Sequence, residues 1–279
     1  MREITLLDRI KAELLSYDGV MGIYINDLKG NKIEIGVEEE FETASTIKAY
    51  ILGCFYDEVV RGTKRLEDML TYTQDHFVDG SGILKSLDLG VTMTAKNIAT
   101  LMIIVSDNIA TNIMIDYLGI HTINAFIQAQ GFLHTKLYNK LDFETYRQLG
   151  TTTPYDYGCL FEKVATGMLV SEWACAQMIE IFKKQHYNSM ITKRFPQAFI
   201  DEDTYEEELF YIASKSGSMN ACRNDGGIVS TPYGKYVIVM LNKNFHDPVY
   251  HPNHPATEFG SRISRLIFDQ YMALKGSIQ

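Results

Sequence analysis

Gly22-Ile23-Tyr24-Ile25-Asn26 alternates apolar and polar residues, as a half-buried strand does, Lys32-Ile33-Glu34-Ile35-Gly36 alternates again, and Lys29-Gly30-Asn31 between them carries turn chemistry. A period of two sends successive side chains to opposite faces, so the segment reads as a β-hairpin. Strand character returns only late in the chain. Glu208–Ser214, Gly227–Ser230 and Lys235–Leu241 are short and rich in β-branched or aromatic residues, with Pro232-Tyr233-Gly234 as the last turn. Between these ends the spacing is helical. The expected helices are Ser45–Val60, Ala95–Val105 with Thr94 as N-cap, Asp107–Leu118 stopped by Gly119, His121–Gln130 closed by Gly131, Pro154–Thr166 and Ser171–Phe182. Two more, Thr5–Ser16 and Ala256–Leu274, stand at the ends.

Strands segregated from helices argue for an α+β fold rather than alternating βαβ units. The hairpin and late strands are expected to close one antiparallel sheet, with the terminal helices over one face. The expected organisation is a single domain over 1–279, with an α/β lobe from about 1–42 and 200–279 and an all-helical lobe from about 43–199. A cleft between such lobes is a favoured place for a ligand. Arg194–Glu208 reads as a loop, and so does the Pro- and Asn-rich stretch His246–His254.

Composition narrows the function. The net charge is −9, from 35 acidic against 26 basic residues, which disfavours a phosphate backbone as partner. No apolar run reaches the roughly 20 residues of a membrane-spanning helix. The N-terminus lacks the basic start and unbroken apolar run of a secretory signal. The expectation is a cytoplasmic protein, or an exported one whose signal was removed before residue 1. Cys54, Cys159, Cys175 and Cys222 are far apart, with no CxxC pair and no histidine at ligand spacing. They read as buried free thiols. Neither a metal nor another cofactor is expected.

Three short motifs carry chemistry. In Ser45-Thr46-Ile47-Lys48, a hydroxyl and an amine three residues apart share one face of a helix. Serine is a weak nucleophile until a neighbour takes its proton, and lysine takes one only when its pKa falls. Ser106-Asp107-Asn108 lies between two expected helices, where each residue is a good N-cap; its functional alternative is a hydroxyl relay at Ser106 and a substrate-binding amide at Asn108. Lys215-Ser216-Gly217-Ser218 follows an expected strand and reads as an exposed edge, or as a site where Gly217 admits a ligand close to the backbone.

In this order the motifs resemble the SxxK, SDN and KTG set of class A β-lactamases and penicillin-binding proteins, with serine for threonine in the third. Gly22–Leu28, Phe41–Ser45, Thr100–Asn108 with Ala110–Asn112, Thr151–Pro154 and Arg223–Val229 are similar to the same family, so the resemblance covers roughly residues 20–275. It implies attack by Ser45 on an amide or ester carbonyl, with Lys48 as proton acceptor. The backbone N–H groups of Ser45 and Ser218 would hold the oxyanion, and Ser106 with Lys215 would protonate the leaving group. Asn108, Ser216, Gly217, Ser218 and Arg223 would bind substrate. The implied substrate is a small β-lactam, or an acyl-peptide or ester as in D-alanyl-D-alanine peptidases; a non-catalytic binding module on the same scaffold is the third reading.

The family's deacylation glutamate has an imperfect counterpart. Glu144, in Leu141-Asp142-Phe143-Glu144, is the only glutamate between Gly131 and Thr151, but the loop is short and the usual context is missing. Glu144 is the candidate base, Asp142 a weaker one. The alternatives for Glu144 are a solvated carboxylate or a partner for Arg147. Arg223 binds a substrate carboxylate or pairs with Asp225.

Overall fold

The computed structural model describes residues 4–145, 148–199, 210–247, 251 and 253–279. Its main sheet has the order β2-β1-β11-β10-β8, where β1 is Val20–Asn26, β2 Lys32–Ile35, β8 Tyr211–Ser214, β10 Cys222–Thr231 and β11 Gly234–Lys243; β9, Gly217–Met219, pairs with β10 beyond β8. All these pairings are antiparallel. The α+β expectation therefore holds. Glu208 and Leu209 of the expected late strand lie outside the described residues, as do 200–207 of the expected loop.

Strand β11 alternates between two cores. Val237, Val239 and Leu241 join the larger cluster, while Tyr236, Ile238 and Met240 join the smaller one. Both faces are apolar, as in a sheet covered on both sides. The smaller core is closed by α1 (Leu6–Leu14) and α8 (Pro255–Ala273) through Leu6, Ile10, Ile263, Ile267 and Phe268. Thr5 caps α1, its Oγ1 accepting from Asp8 N–H at 3.2 Å.

The larger core holds α2 (Ile47–Val60), α3 (Ala95–Ile104), α4 (Asn108–Leu118), α5 (Ile120–Ala129), α6 (Pro154–Ala165) and α7 (Glu172–Phe182). Every residue of α2 from Ile47 to Asp57 is buried, so this helix is enclosed on all sides. Helix α6 lies flat on the sheet because glycines remove the side chains between them. A Cβ at Gly158 would come within 2.2 Å of the Tyr24 ring, and one at Gly226 within 2.5 Å of the Tyr157 ring.

Short ladders absent from the sequence reading tie down the connections. β3 (Phe41–Glu42) pairs with β7 (Gly150–Thr152), which also pairs with β6 (Lys136–Leu137); β4 (Met69–Thr71) pairs with β5 (Thr92–Thr94). They lack a hydrophobic period because two or three residues are too few to show one. All four cysteines are free. Among the described residues no helix is long and apolar enough to cross a membrane.

Candidate active site

Ser45 sits just before α2 rather than within it, in a 3₁₀ turn over Ala44–Thr46. The turn is anchored on both sides: Thr43 N–H donates to Gly150 O at 2.9 Å, and Thr46 Oγ1 donates to Thr43 O at 2.7 Å. Ala44 adopts φ +44°, a left-handed conformation that costs a non-glycine residue about 1 kcal/mol or more. No hydrogen bond reaches Ser45 Oγ among the described residues.

Lys48, the second residue of α2, is fully buried. Its Nζ donates to Ser106 O at 2.7 Å, Ser106 Oγ at 3.0 Å and Asn108 Oδ1 at 2.9 Å. Burial first, and then the charge of Lys215, push its pKa well below the ordinary lysine value, against a smaller opposing pull from Asp107. Desolvation of this kind favours the neutral amine over the ammonium.

Asp107 is the N-cap of α4, as its residue type suggests, its Oδ1 accepting from Ala110 N–H at 2.9 Å. Its other oxygen accepts from Ile83 and Leu84 N–H at 2.7 and 2.8 Å. Asn108 adds two bonds to the same passing loop: N–H to Ser81 O and Nδ2 to Asp79 O, both 3.0 Å. Gly82 passes so close to Asp107 that a Cβ there would lie 2.3 Å from its carboxylate. The turn thus presents Ser106, itself at φ +51°, and bolts residues 79–84 into place.

Lys215 follows β8 and is also fully buried. Its Nζ donates to Ser216 O at 2.6 Å, and its own carbonyl accepts from Tyr157 Oη at 2.6 Å. Burial lowers its pKa to about 7, with the Asp225 carboxylate pulling the other way. Asp225 is displaced upward, to about 7, by burial. Gly217 lies against the Ser45 turn: a Cβ there would stand 2.8 Å from Ser45 N and 2.7 Å from Thr46 N.

Ser45, Ser106, Asn108, Ser216, Gly217 and Ser218 line one cavity of about 470 Å³, walled on its apolar side by Leu141, Phe143, Leu149, Tyr187 and Met219. Lys48 and Lys215 lie behind this lining, joined to it through Ser106 and Ser216. All three motifs therefore meet.

Three candidates do not join them. Glu144 and Asp142 line an adjoining cavity of about 660 Å³, beyond the shared wall of Leu141 and Phe143. Glu144 is exposed, and Asp142 is turned back on its own loop by Glu144 N–H at 2.9 Å. The shortened loop leaves neither carboxylate on the Ser45 side. Arg147, the suggested partner of Glu144, lies outside the described residues. Arg223 is buried, with Nη1 on the carbonyls of Met219 and Cys222, the latter at 2.9 Å; it is not in the cavity lining. Asp225 instead accepts from Ile191 N–H at 3.1 Å and Gly226 N–H at 3.0 Å.

Sequence reasoning overlooks Asn224, buried beside the Ser45 turn, and the cavity residues Gly80, Ser81, Tyr187 and Ser189. The glycine pair in Asp79-Gly80-Ser81-Gly82 is a usable signal for a close backbone approach; the others carry none. Among the described residues no cluster of His, Cys, Asp and Glu is placed to hold a metal.

The family model described as the β-lactamase enzyme family matches residues 5–271. A β-lactamase of Bacillus licheniformis is 32% identical over 105 residues, 37% of this chain and 33% of that protein. The chain thus aligns with about a third of that curated relative's length. Among solved structures, the β-lactamase of Sphaerobacter thermophilus superposes with a TM-score of 0.83 at 26% identity, covering 95% of this chain and 96% of that one. PBP-A superposes equally, with a TM-score of 0.83, 27% identity and 96% of each chain covered. A PBP-A variant superposes at 26% identity, a TM-score of 0.82 and 96% coverage of each chain, and its structure is an acyl-enzyme complex with penicillin G.

Proposed function

This chain belongs to the β-lactamase enzyme family, and from that premise we propose that it is a serine acyl hydrolase which a β-lactam acylates at Ser45. The observation that carries this is the triple contact of Lys48 Nζ with Ser106 O, Ser106 Oγ and Asn108 Oδ1. It connects the first motif to the second behind the cavity that Ser45 lines.

The chemistry follows from those atoms. In its neutral form Lys48 keeps two N–H groups, on Ser106 O and Asn108 Oδ1, and its lone pair takes the Ser45 hydroxyl proton as Oγ bonds to the carbonyl carbon. The N–H groups of Ser45 and Ser218 hold the oxyanion, on two segments that the missing side chain of Gly217 lets approach closely. As the C–N bond breaks, the proton passes from Lys48 through Ser106 Oγ to the leaving nitrogen. The Ser216 and Ser218 hydroxyls receive the substrate carboxylate, with the positive charge of Lys215 in its ammonium form behind them, and the Asn108 amide receives a substrate carbonyl.

A second reading keeps Ser45 and changes the outcome. Among the described residues no carboxylate or histidine lines the Ser45 cavity, so none of them is a positioned base for water attacking the acyl-enzyme. Such a base is worth roughly 10²–10⁴-fold. That favours slow deacylation, as in a D-alanyl-D-alanine peptidase or related acyl-transferring enzyme; the PBP-A variant that this chain resembles holds penicillin G as an acyl-enzyme.

Penicillin G incubation followed by intact mass spectrometry tests both. The expected result is a penicilloyl adduct that persists and is absent from Ser45→Ala. Rapid turnover of nitrocefin without an accumulating adduct would favour the efficient β-lactamase; no adduct and no turnover would remove the β-lactam reading.

A further inference from the structure

We infer that Asn224 is a positioning residue that sets the spacing of the Ser45 and Ser218 N–H groups; this rests on their proposed role as oxyanion donors. Asn224 is almost fully buried and is not among the residues lining the cavity. Three segments meet at it. Its backbone is paired with Gly217 in the β9–β10 ladder, next to the Arg223–Ser218 pair. Its Nδ2 donates to Glu42 O at 2.7 Å and to Thr43 O at 3.4 Å, the two residues that lead into the Ser45 turn. Its Oδ1 accepts from Asn242 N–H at 2.9 Å, which fixes the amide on β11.

One donor comes from the turn that the Asn224 side chain grips, the other from the strand that its backbone grips. These two segments also touch directly, since a Cβ on Gly217 would fall 2.8 Å from both Ser45 N and Thr43 O. The turn is strained at Ala44, with φ +44°. A turn under strain relaxes when a restraint is removed, and Asn224 restrains the two residues just before it. Relaxation would move Ser45, its N–H included, relative to Ser218 N–H while leaving the cavity's other walls in place. A shift of about 1 Å at a reacting centre costs on the order of 100-fold in rate.

The test uses the full chain with penicillin G and nitrocefin, comparing wild type, Asn224→Ala and Asn224→Asp. Asp has the same shape and keeps the acceptor for Asn242 N–H, but loses donation to Glu42 and Thr43, so it isolates the grip on the turn. The expected result is an acylation rate constant lowered about 10- to 100-fold, with non-covalent affinity within about twofold. The infrared band of the acyl-enzyme carbonyl should also move to higher wavenumber in both variants, because its two N–H bonds lengthen. A merely structural role would lower the melting temperature and leave that band where it is. A folded Asn224→Asp protein with the wild-type rate, or with an unmoved band, overturns the inference while wild-type acylation stands. If wild type itself accepts no acyl group, the proposed function fails first, and this assignment with it.

Discussion

Lys48 Nζ lies 3.0 Å from Ser106 Oγ, although 58 positions of chain separate the two residues. The contact joins a buried amine with a lowered pKa to a hydroxyl on the cavity wall. Lys48→Met removes the amine and keeps the volume, so penicillin acylation should fall by about 10²–10⁴-fold. Lys48→Arg should fall as far, since a guanidinium keeps its proton. Stopped-flow acylation rates check this, and near-normal rates in either variant would exclude Lys48 as the base.

Lys215 titrates at about 7 and Asp225 pulls that value upward. Its ammonium is present below that pH and lost above it, so affinity for an anionic substrate should decline as pH rises through about 7. Asp225→Asn removes the pull, and the decline should shift to lower pH. Comparing a carboxylate-bearing β-lactam with its methyl ester isolates the effect. Parallel pH profiles for acid and ester would argue against Lys215 as the carboxylate's partner.

Glu144 lines the outer cavity, on the far side of the Leu141–Phe143 wall from Ser45. Glu144→Gln should therefore leave the lifetime of the acyl-enzyme within about twofold of wild type, against the 10²-fold or more that a working base contributes. A much longer lifetime in the variant would show that the loop moves and delivers the carboxylate.

Two glycine replacements should both lower stability, because each crowds its neighbours, but only one should also lower activity per folded molecule. A Cβ at Gly217 would occupy the space beside Ser45 N, so Gly217→Ala should lower acylation by about 10²-fold or more. Gly158→Ala would drive a methyl into the Tyr24 ring, an overpacking that costs about 1–3 kcal/mol, and its main effect should be a lower melting temperature. Activity per folded molecule, with thermal denaturation alongside, tells them apart.

His254 caps α8 as a neutral ring. Nδ1 accepts from Ala256 N–H at 3.1 Å, and Nε2 donates to Asp247 O at 2.6 Å. Burial lowers its pKa below 6.5; nearby Arg223 and His251 act the same way, and Asp247 opposes them. A depressed pKa means that this stabilisation is present above 6.5 and is lost as pH falls below it. Asparagine is a good cap without that titration. The melting temperature of wild type should thus fall relative to His254→Asn between pH 7.5 and 5.5; a constant difference would contradict this role.

The sheet, the long helices and the three motifs are legible in the sequence because each repeats a signal over neighbouring residues. Ile23–Ile25 shows a period of two, Val237–Val239 a run of β-branched residues, and Ser45 with Lys48 helical spacing. Asp107 can be read as a cap from its type alone. Asn224 cannot, because its partners Glu42 and Asn242 are set by strand register across the whole chain. Arg223 misleads for the same reason: its distance from the third motif suggests the cavity, while its place in β10 directs the guanidinium to the carbonyls of Met219 and Cys222. Glu144 stands out by composition, as the sole glutamate in its loop, and composition does not say which side of Phe143 a short loop will expose.

Asp107 and Asn108 hold residues 79–84 by backbone bonds, and the same Asn108 steadies Lys48. A guest that pulled this amide aside would loosen the rim and disturb the base together. Entry should therefore proceed by fit, with the empty and occupied shapes almost superimposable and little ordering left to do on arrival. Such a rigid mouth discriminates by outline, so bulky substituents near Ser81 should be refused outright rather than accommodated slowly.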